Sequence, residues 1–308
     1  MFRKILPLFI TAALLSAACG GVPTPTYKLK VVATFSTLGD LVQNVGGDRI
    51  ELKTLVGPGQ DAHTFEPVPA DAKSLADAPL IFENGLGFET WLDELYESSG
   101  SKAERIVVTD GLEPLKGEEH HEGEEAERGY GESDPHMWHD VANAIHMVKA
   151  IREALMKADA ANAPLYQANA DKYIAELQTL DAWVFDQVKT LPEDRRKLVT
   201  THDTFGYFAA RYGFEVIGTI LPTTTEGASP SAQEVDKLVD EVKAAGVPAV
   251  FAENVSSNTL LRQVADEAGV KVVASLYTDA LGPAGSDGDT YIKMMRYNAT
   301  TIVAELGK

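Results

Sequence analysis

Strand-like and helical runs alternate along this 308-residue chain in two rounds, separated by a stretch, 141–191, with helical spacing and no strand. In the first round Leu29–Phe35, Glu51–Val56, Leu80–Asn84 and Arg105–Thr109 read as strands. Leu38–Val45, Pro69–Ala76 and Glu89–Ser98 read as helices between them. The second round places strands at Lys197–Thr201, Glu215–Ile220, Ala249–Glu253 and Lys271–Tyr277. Its helices are Phe205–Tyr212, Ser231–Ala245, Thr259–Ala268 and Thr290–Leu306. Such alternation constrains the fold to the α/β class, with two lobes of mainly parallel sheet covered by helices on both faces. Ligands of such sheets bind outside the carboxyl ends of the strands.

The intervening stretch predicts one helix over Val141–Ala158 and a second from Pro164, a residue suited to the first helical turn, to Leu191. Apolar or aromatic residues from Tyr166 through Tyr173, Leu180 and Val188 keep three- and four-residue spacing, and neither Gly nor Pro interrupts them before Pro192. At 1.5 Å per residue this is a rod roughly 40 Å long, a rigid strut against both lobes. The expected division is an N-terminal lobe over 28–160, a linker helix over 161–191 and a C-terminal lobe over 192–308.

Residues 1–18 read as an export signal: Arg3 and Lys4, then an apolar run too short to span a bilayer, then small residues before Cys19. Leu15-Ser16-Ala17-Ala18-Cys19 is similar to a bacterial lipobox, with lipid expected on Cys19 and residues 19–27 as a tether. Cys19 is the only cysteine, so neither an internal disulfide nor a thiolate ligand is available. A formal charge of −19 argues against nucleic acid as partner and agrees equally with attraction of cations and with ordinary solubility. Residues 117–133 hold seven glutamates with His120 and His121 and nothing bulky except Tyr130, so this segment is expected to form a loop outside any core.

Four residues carry the chemistry. His63 follows the glycine-rich turn Gly57-Pro58-Gly59-Gln60-Asp61-Ala62, and His136 lies in Asp134-Pro135-His136-Met137-Trp138. His202 ends the strand before Asp203-Thr204-Phe205-Gly206, and Asp279 follows the last strand in Ser275-Leu276-Tyr277-Thr278-Asp279. Three imidazoles and one carboxylate make a full tetrahedral shell for Zn²⁺ and are tolerated by Mn²⁺, which prefers more oxygen. One carboxylate against two charges leaves such a shell net positive. Any one of these histidines alone is better read as a capping or core residue; the case rests on their joint placement.

With these motifs the chain resembles, from about Lys30 to Leu306, the cluster A-I solute-binding proteins of bacterial zinc and manganese ABC transporters, the TroA/ZnuA/PsaA type. The resemblance implies a monomeric, lipid-anchored extracytoplasmic receptor that captures one ion between its lobes and delivers it to a permease with a cytoplasmic ATPase. It implies His63 and His136 as ligands from the first lobe, with His202 and Asp279 from the second. Many manganese members carry Glu at the third position, so His202 implies a zinc-type or mixed shell. His139 stands where the family usually has an apolar residue, and is expected at a helix start, exposed or hydrogen-bonded. His146 is expected to be structural.

Other functions fit less well. A metal-dependent hydrolase lacks support, since neither His-Glu-x-x-His nor a Gly-x-Ser-x-Gly elbow occurs. Nothing in the sequence speaks for a surface adhesin by itself. A receptor for a chelated metal needs an aromatic or arginine-lined cleft instead of direct ligands.

Overall fold

The computed structural model describes residues 28–116, 133–221 and 230–308. The expected export signal, Cys19 with its tether and nearly all of the acidic segment lie outside the described residues. The first lobe runs β1 (Leu29–Phe35), α1 (Ser36–Gly46), β2 (Ile50–Val56), α2 (Pro69–Asp77), β3 (Leu80–Glu83), α3 (Leu92–Ser99) and β4 (Glu104–Val107). Two long helices follow, α4 (Val141–Ala158) and α5 (Ala163–Val188). The second lobe runs β5 (Lys197–His202), α6 (Gly206–Tyr212), β6 (Glu215–Leu221), α7 (Ala232–Ala245), β7 (Ala249–Glu253), α8 (Thr259–Ala268), β8 (Lys271–Leu276) and α9 (Tyr291–Leu306).

Each lobe holds a four-stranded, wholly parallel sheet, ordered β2-β1-β3-β4 and β6-β5-β7-β8. The strand order reverses between β1 and β3 in one sheet and between β5 and β7 in the other. Such a reversal opens a crevice at the strand ends where a ligand fits. Along β1, Val31 and Ala33 face the central core while Val32 faces an outer cluster with Leu75, Ile81 and Leu92. The second sheet repeats this, with Leu198 and Phe251 turned to the central core and Val199 and Val250 to an outer cluster under α7 and α8. Strand residues thus bury both faces, which is why they read as near-continuous apolar runs.

Local chemistry sets the element ends. Ser231 and Glu234 cap α7 reciprocally, and Gly246 (φ 64°) and Gly269 (φ 74°) close α7 and α8 in the left-handed region. Asp140 accepts the Ala142 N–H at 2.7 Å and caps α4. The third helix begins at Leu92, not at Glu89 as the spacing predicts. Glu89 turns back to accept the main-chain N–H groups of Asn84 (2.8 Å) and Gly85 (3.1 Å), closing a loop where a first turn was expected.

The α5 helix, 26 residues and about 39 Å long, packs against α1 and α4 on one side and α6 and α9 on the other. Asn169 donates to Val45 O at 3.0 Å and Tyr173 to Asp40 at 3.3 Å on one side. On the other side Asp181 accepts from Arg211 at 2.6 Å and from Tyr212 at 2.9 Å, and Arg296 lies 4.5 Å over the Trp183 ring. One buried apolar cluster, including Leu41, Met147, Leu180, Phe208 and Met295, runs through both lobes. No helix among the described residues is long and apolar enough to cross a membrane.

Candidate metal centre

His63, His136, His202 and Asp279 meet where the two crevices face one another, each offering a ligand atom within 4.8 Å of the others. His63 is 3% exposed and the other three are fully buried. His63 sits in the turn after β2, held by Asp61, which accepts its main-chain N–H at 2.8 Å. Asp134 accepts both the main-chain N–H (2.9 Å) and the ring Nδ1 (2.8 Å) of His136. His202 is the last residue of β5, and Glu253, the last residue of the adjacent β7, accepts its main-chain N–H at 2.8 Å and its ring Nδ1. A carboxylate beside Nδ1 keeps the proton there, so Nε2 of His136 and of His202 presents a lone pair to the centre once the ring is neutral.

The donors converge with metal-like spacing. His63 Nε2 is 3.3 Å from His136 Nε2, and Asp279 oxygens lie 3.2 Å from His202 Nε2 and 3.5 Å from both His63 Nε2 and His136 Nε2. A tetrahedral shell with bonds of about 2.0–2.1 Å has ligand–ligand edges of about 3.3–3.4 Å. Among the described residues, His202 Nε2 and Asp279 Oδ2 have no hydrogen-bond partner despite complete burial. Buried polar atoms left so are costly, and a cation between them removes that cost. Both Asp279 oxygens face inward, Oδ1 toward His136 and Oδ2 toward His63 and His202.

The electrostatics suit a cation. Burial drives His63 down to about 3, against the pull of Asp279, so its ring is neutral and ready to coordinate. Burial also opposes charge on His202, but Glu253 and Asp279 overcome it and hold its pKa well above the usual value. Burial works to raise Asp279, yet the facing imidazoles of His202, His136 and His63 together hold it below the usual carboxylate range. Glu253 and Asp134, 1% and 2% exposed, place carboxylates directly behind two of the imidazoles, outside the four-residue shell itself. Spacing gave Glu253 no role; the one signal for it is a carboxylate closing the otherwise apolar strand Ala249–Glu253.

The surrounding side chains tie the lobes together. Trp138 donates its indole N–H to Thr278 O at 3.1 Å, and its own carbonyl accepts from the Tyr291 hydroxyl at 2.6 Å. Gly59 (φ 71°), which only glycine adopts easily, donates to Leu281 O at 2.9 Å, and Ser36 Oγ accepts the Leu281 N–H at 2.9 Å. Phe88 packs edge-on against His63, its ring centroid 4.7 Å away. Tyr207 of α6 donates to Asp134 O at 2.7 Å and accepts from Leu115 N at 2.9 Å, fastening the stem from which the acidic segment departs.

His139 departs from expectation. It ends a short 3-10 turn ahead of α4, is fully buried between Trp138 and Phe205, and among the described residues neither ring nitrogen has a hydrogen-bond partner. It is neither exposed nor hydrogen-bonded, because Phe205 of the other lobe covers it, and it does not join the four-residue group. His146 lies on α4 with Nε2 2.8 Å from Asp110 O, away from the centre.

Residues 31–305 match the family model described as the zinc-uptake complex component A, periplasmic. The manganese-binding lipoprotein MntA of Halalkalibacterium halodurans is 36% identical over 98% of this chain and 97% of its own length. The manganese ABC transporter substrate-binding lipoprotein PsaA of Streptococcus pneumoniae is 32% identical over 99% and 98%. Among solved structures, the periplasmic zinc-binding protein TroA of Treponema pallidum superposes with a TM-score of 0.82 at 32% identity, covering 91% of this chain and 99% of that one. The manganese-bound periplasmic metal-binding protein of Candidatus Liberibacter asiaticus gives 0.80 at 28% identity, covering 91% and 100%. The chain belongs to this ZnuA/TroA family: it is a metal-binding substrate-binding protein of an ABC transporter, not an enzyme.

Proposed function

We propose that His63, His136, His202 and Asp279 form the binding shell for one divalent transition-metal ion, with Zn²⁺ the favoured cargo. The observation that carries this reading is the convergence of four buried donors from two lobes, within 4.8 Å of one another. Four protein ligands fill a tetrahedral shell and leave no position for an activated water, so the ion is held for carriage and not for chemistry. Three imidazole nitrogens and edge lengths near those of a zinc tetrahedron support zinc. A second reading, a manganese or mixed receptor, is favoured by the two inward oxygens of Asp279, which offer a larger ion a fifth donor. The names of the MntA and PsaA relatives point the same way.

In this reading residues 28–160 and 192–308 are the two metal-binding lobes and 161–191 the linker. The mature chain is a monomer held at the outer face of the cell membrane by lipid on Cys19, and it hands its ion to the permease and its cytoplasmic ATPase. The test is titration of metal-stripped protein with zinc against a competing chelator. One equivalent binds, and His63→Ala or Asp279→Ala weakens binding by more than about 100-fold, since each removes a direct ligand and the loss of a supporting contact alone costs about 10–100-fold. Unchanged affinity in both variants sinks the four-ligand assignment. Because zinc outcompetes manganese at almost any such site in vitro, the cargo is decided by the metal content of protein taken from its native cells.

A further inference from the structure

We propose that Glu253 is a positioning residue that sets how well the site accepts manganese beside zinc, an inference that rests on the four-ligand reading above. Glu253 closes the apolar strand β7 and is 1% exposed, a place where a carboxylate persists only if it is fully engaged. Oε1 accepts the His202 main-chain N–H at 2.8 Å, while Oε2 accepts from His202 Nδ1 and, at 3.4 Å, from the Thr278 hydroxyl. The His202 main-chain N–H is an obligate donor to it, and with the ring proton held on Nδ1 the imidazole and the Thr278 hydroxyl also donate, so both carboxylate oxygens are engaged. Glu253 therefore touches His202 twice and also the residue preceding Asp279, bracing both ligands of the second lobe.

Two consequences follow for the ion. Accepting at Nδ1 fixes the ring so that Nε2 faces the centre. The charge, one imidazole away from the ion, also strengthens His202 as a donor. Asp134 does the same for His136, but from two residues away within one turn. Zinc binds neutral imidazole strongly and draws less on that extra charge. Manganese, lower in the Irving–Williams order and better suited to anionic oxygen, draws more on it. Glu253 lets an imidazole at the third position behave partly as a charged ligand.

The test measures Zn²⁺ and Mn²⁺ affinities separately, by chelator competition, for purified wild-type protein and for Glu253→Gln and Glu253→Asp. Glutamine fits the same space and keeps an acceptor, and an unchanged Co²⁺ absorption spectrum shows that the shell is intact. In Glu253→Gln zinc affinity falls by about 10–100-fold and manganese affinity by a larger factor. Glu253→Asp, which keeps the charge, holds the wild-type zinc-to-manganese ratio. Equal losses for the two ions in Glu253→Gln, no loss at all, or the same shift of ratio in Glu253→Asp overturns the proposal. Wild-type protein that binds neither ion overturns the four-ligand reading itself, a separate outcome.

Discussion

The indole N–H of Trp138 reaches 3.1 Å across the lobe boundary to the main-chain oxygen of Thr278. Trp138 is two residues from His136 and Thr278 is next to Asp279, so one rigid side chain sets the distance between ligands of different lobes. Trp138→Phe keeps the aromatic packing against Phe35 and Phe88 but leaves a buried carbonyl unpaired. We expect a stability loss of about 1–3 kcal/mol and faster ion release, read by chemical denaturation and by stopped-flow transfer of zinc to a chelator.

Metal uptake is expected to displace a proton. Glu253 and Asp279 raise the pKa of His202 well above its ordinary value against the effect of burial, which favours the protonated ring when no ion is present. Coordination through Nε2 expels that proton. Affinity therefore rises with pH, by about tenfold per unit while His202 is the group that must be deprotonated. Calorimetry in two buffers of different ionisation enthalpy should show release of about one proton per ion; a pH-independent affinity contradicts it.

The buried imidazole of His139 costs stability. Replacing it by leucine removes two unpartnered nitrogens, for an expected gain of about 1–3 kcal/mol, with zinc affinity unchanged. Burial, the dominant influence, also lowers its pKa to about 3. A folded-state pKa below the unfolded value means that the unfolded chain binds more protons between the two, so stability is lost as pH falls below about 6.5. His139→Leu should therefore lose less melting temperature than wild type between pH 7 and pH 5.

Removal of residues 118–132 should leave high-affinity binding intact. Lys116 and Ser133 already pair across the base of that segment, and Tyr207 fastens Leu115 beside Asp134. A large loss of zinc affinity on deletion shows instead that the glutamates or His120 and His121 contribute.

Much of the fold was legible because its signals are local. Pro69 opens a helix, and three- and four-residue apolar spacing carries α5 without a break. The four candidate ligands were legible because each lies at or just past a strand end or in a short turn. What supports them was not. Glu253 meets His202 only because β5 and β7 are neighbours in the sheet, 51 residues apart in sequence. His139 is buried by Phe205, which belongs to the other lobe. Contacts made by tertiary packing leave no periodic mark on either partner.

The α5 strut bears on how a transporter can tell a loaded receptor from an empty one. A single stiff helix bolted to α1 and α4 on one flank and to α6 and α9 on the other gives the two lobes nearly fixed shoulders. Wide gaping is then unavailable as a signal. In the carriage reading proposed above, what is left for a permease to read lies in the short turns between the shoulders, those of Gly59, Pro135, Asp203 and Leu281: a change of latch and not a change of jaw.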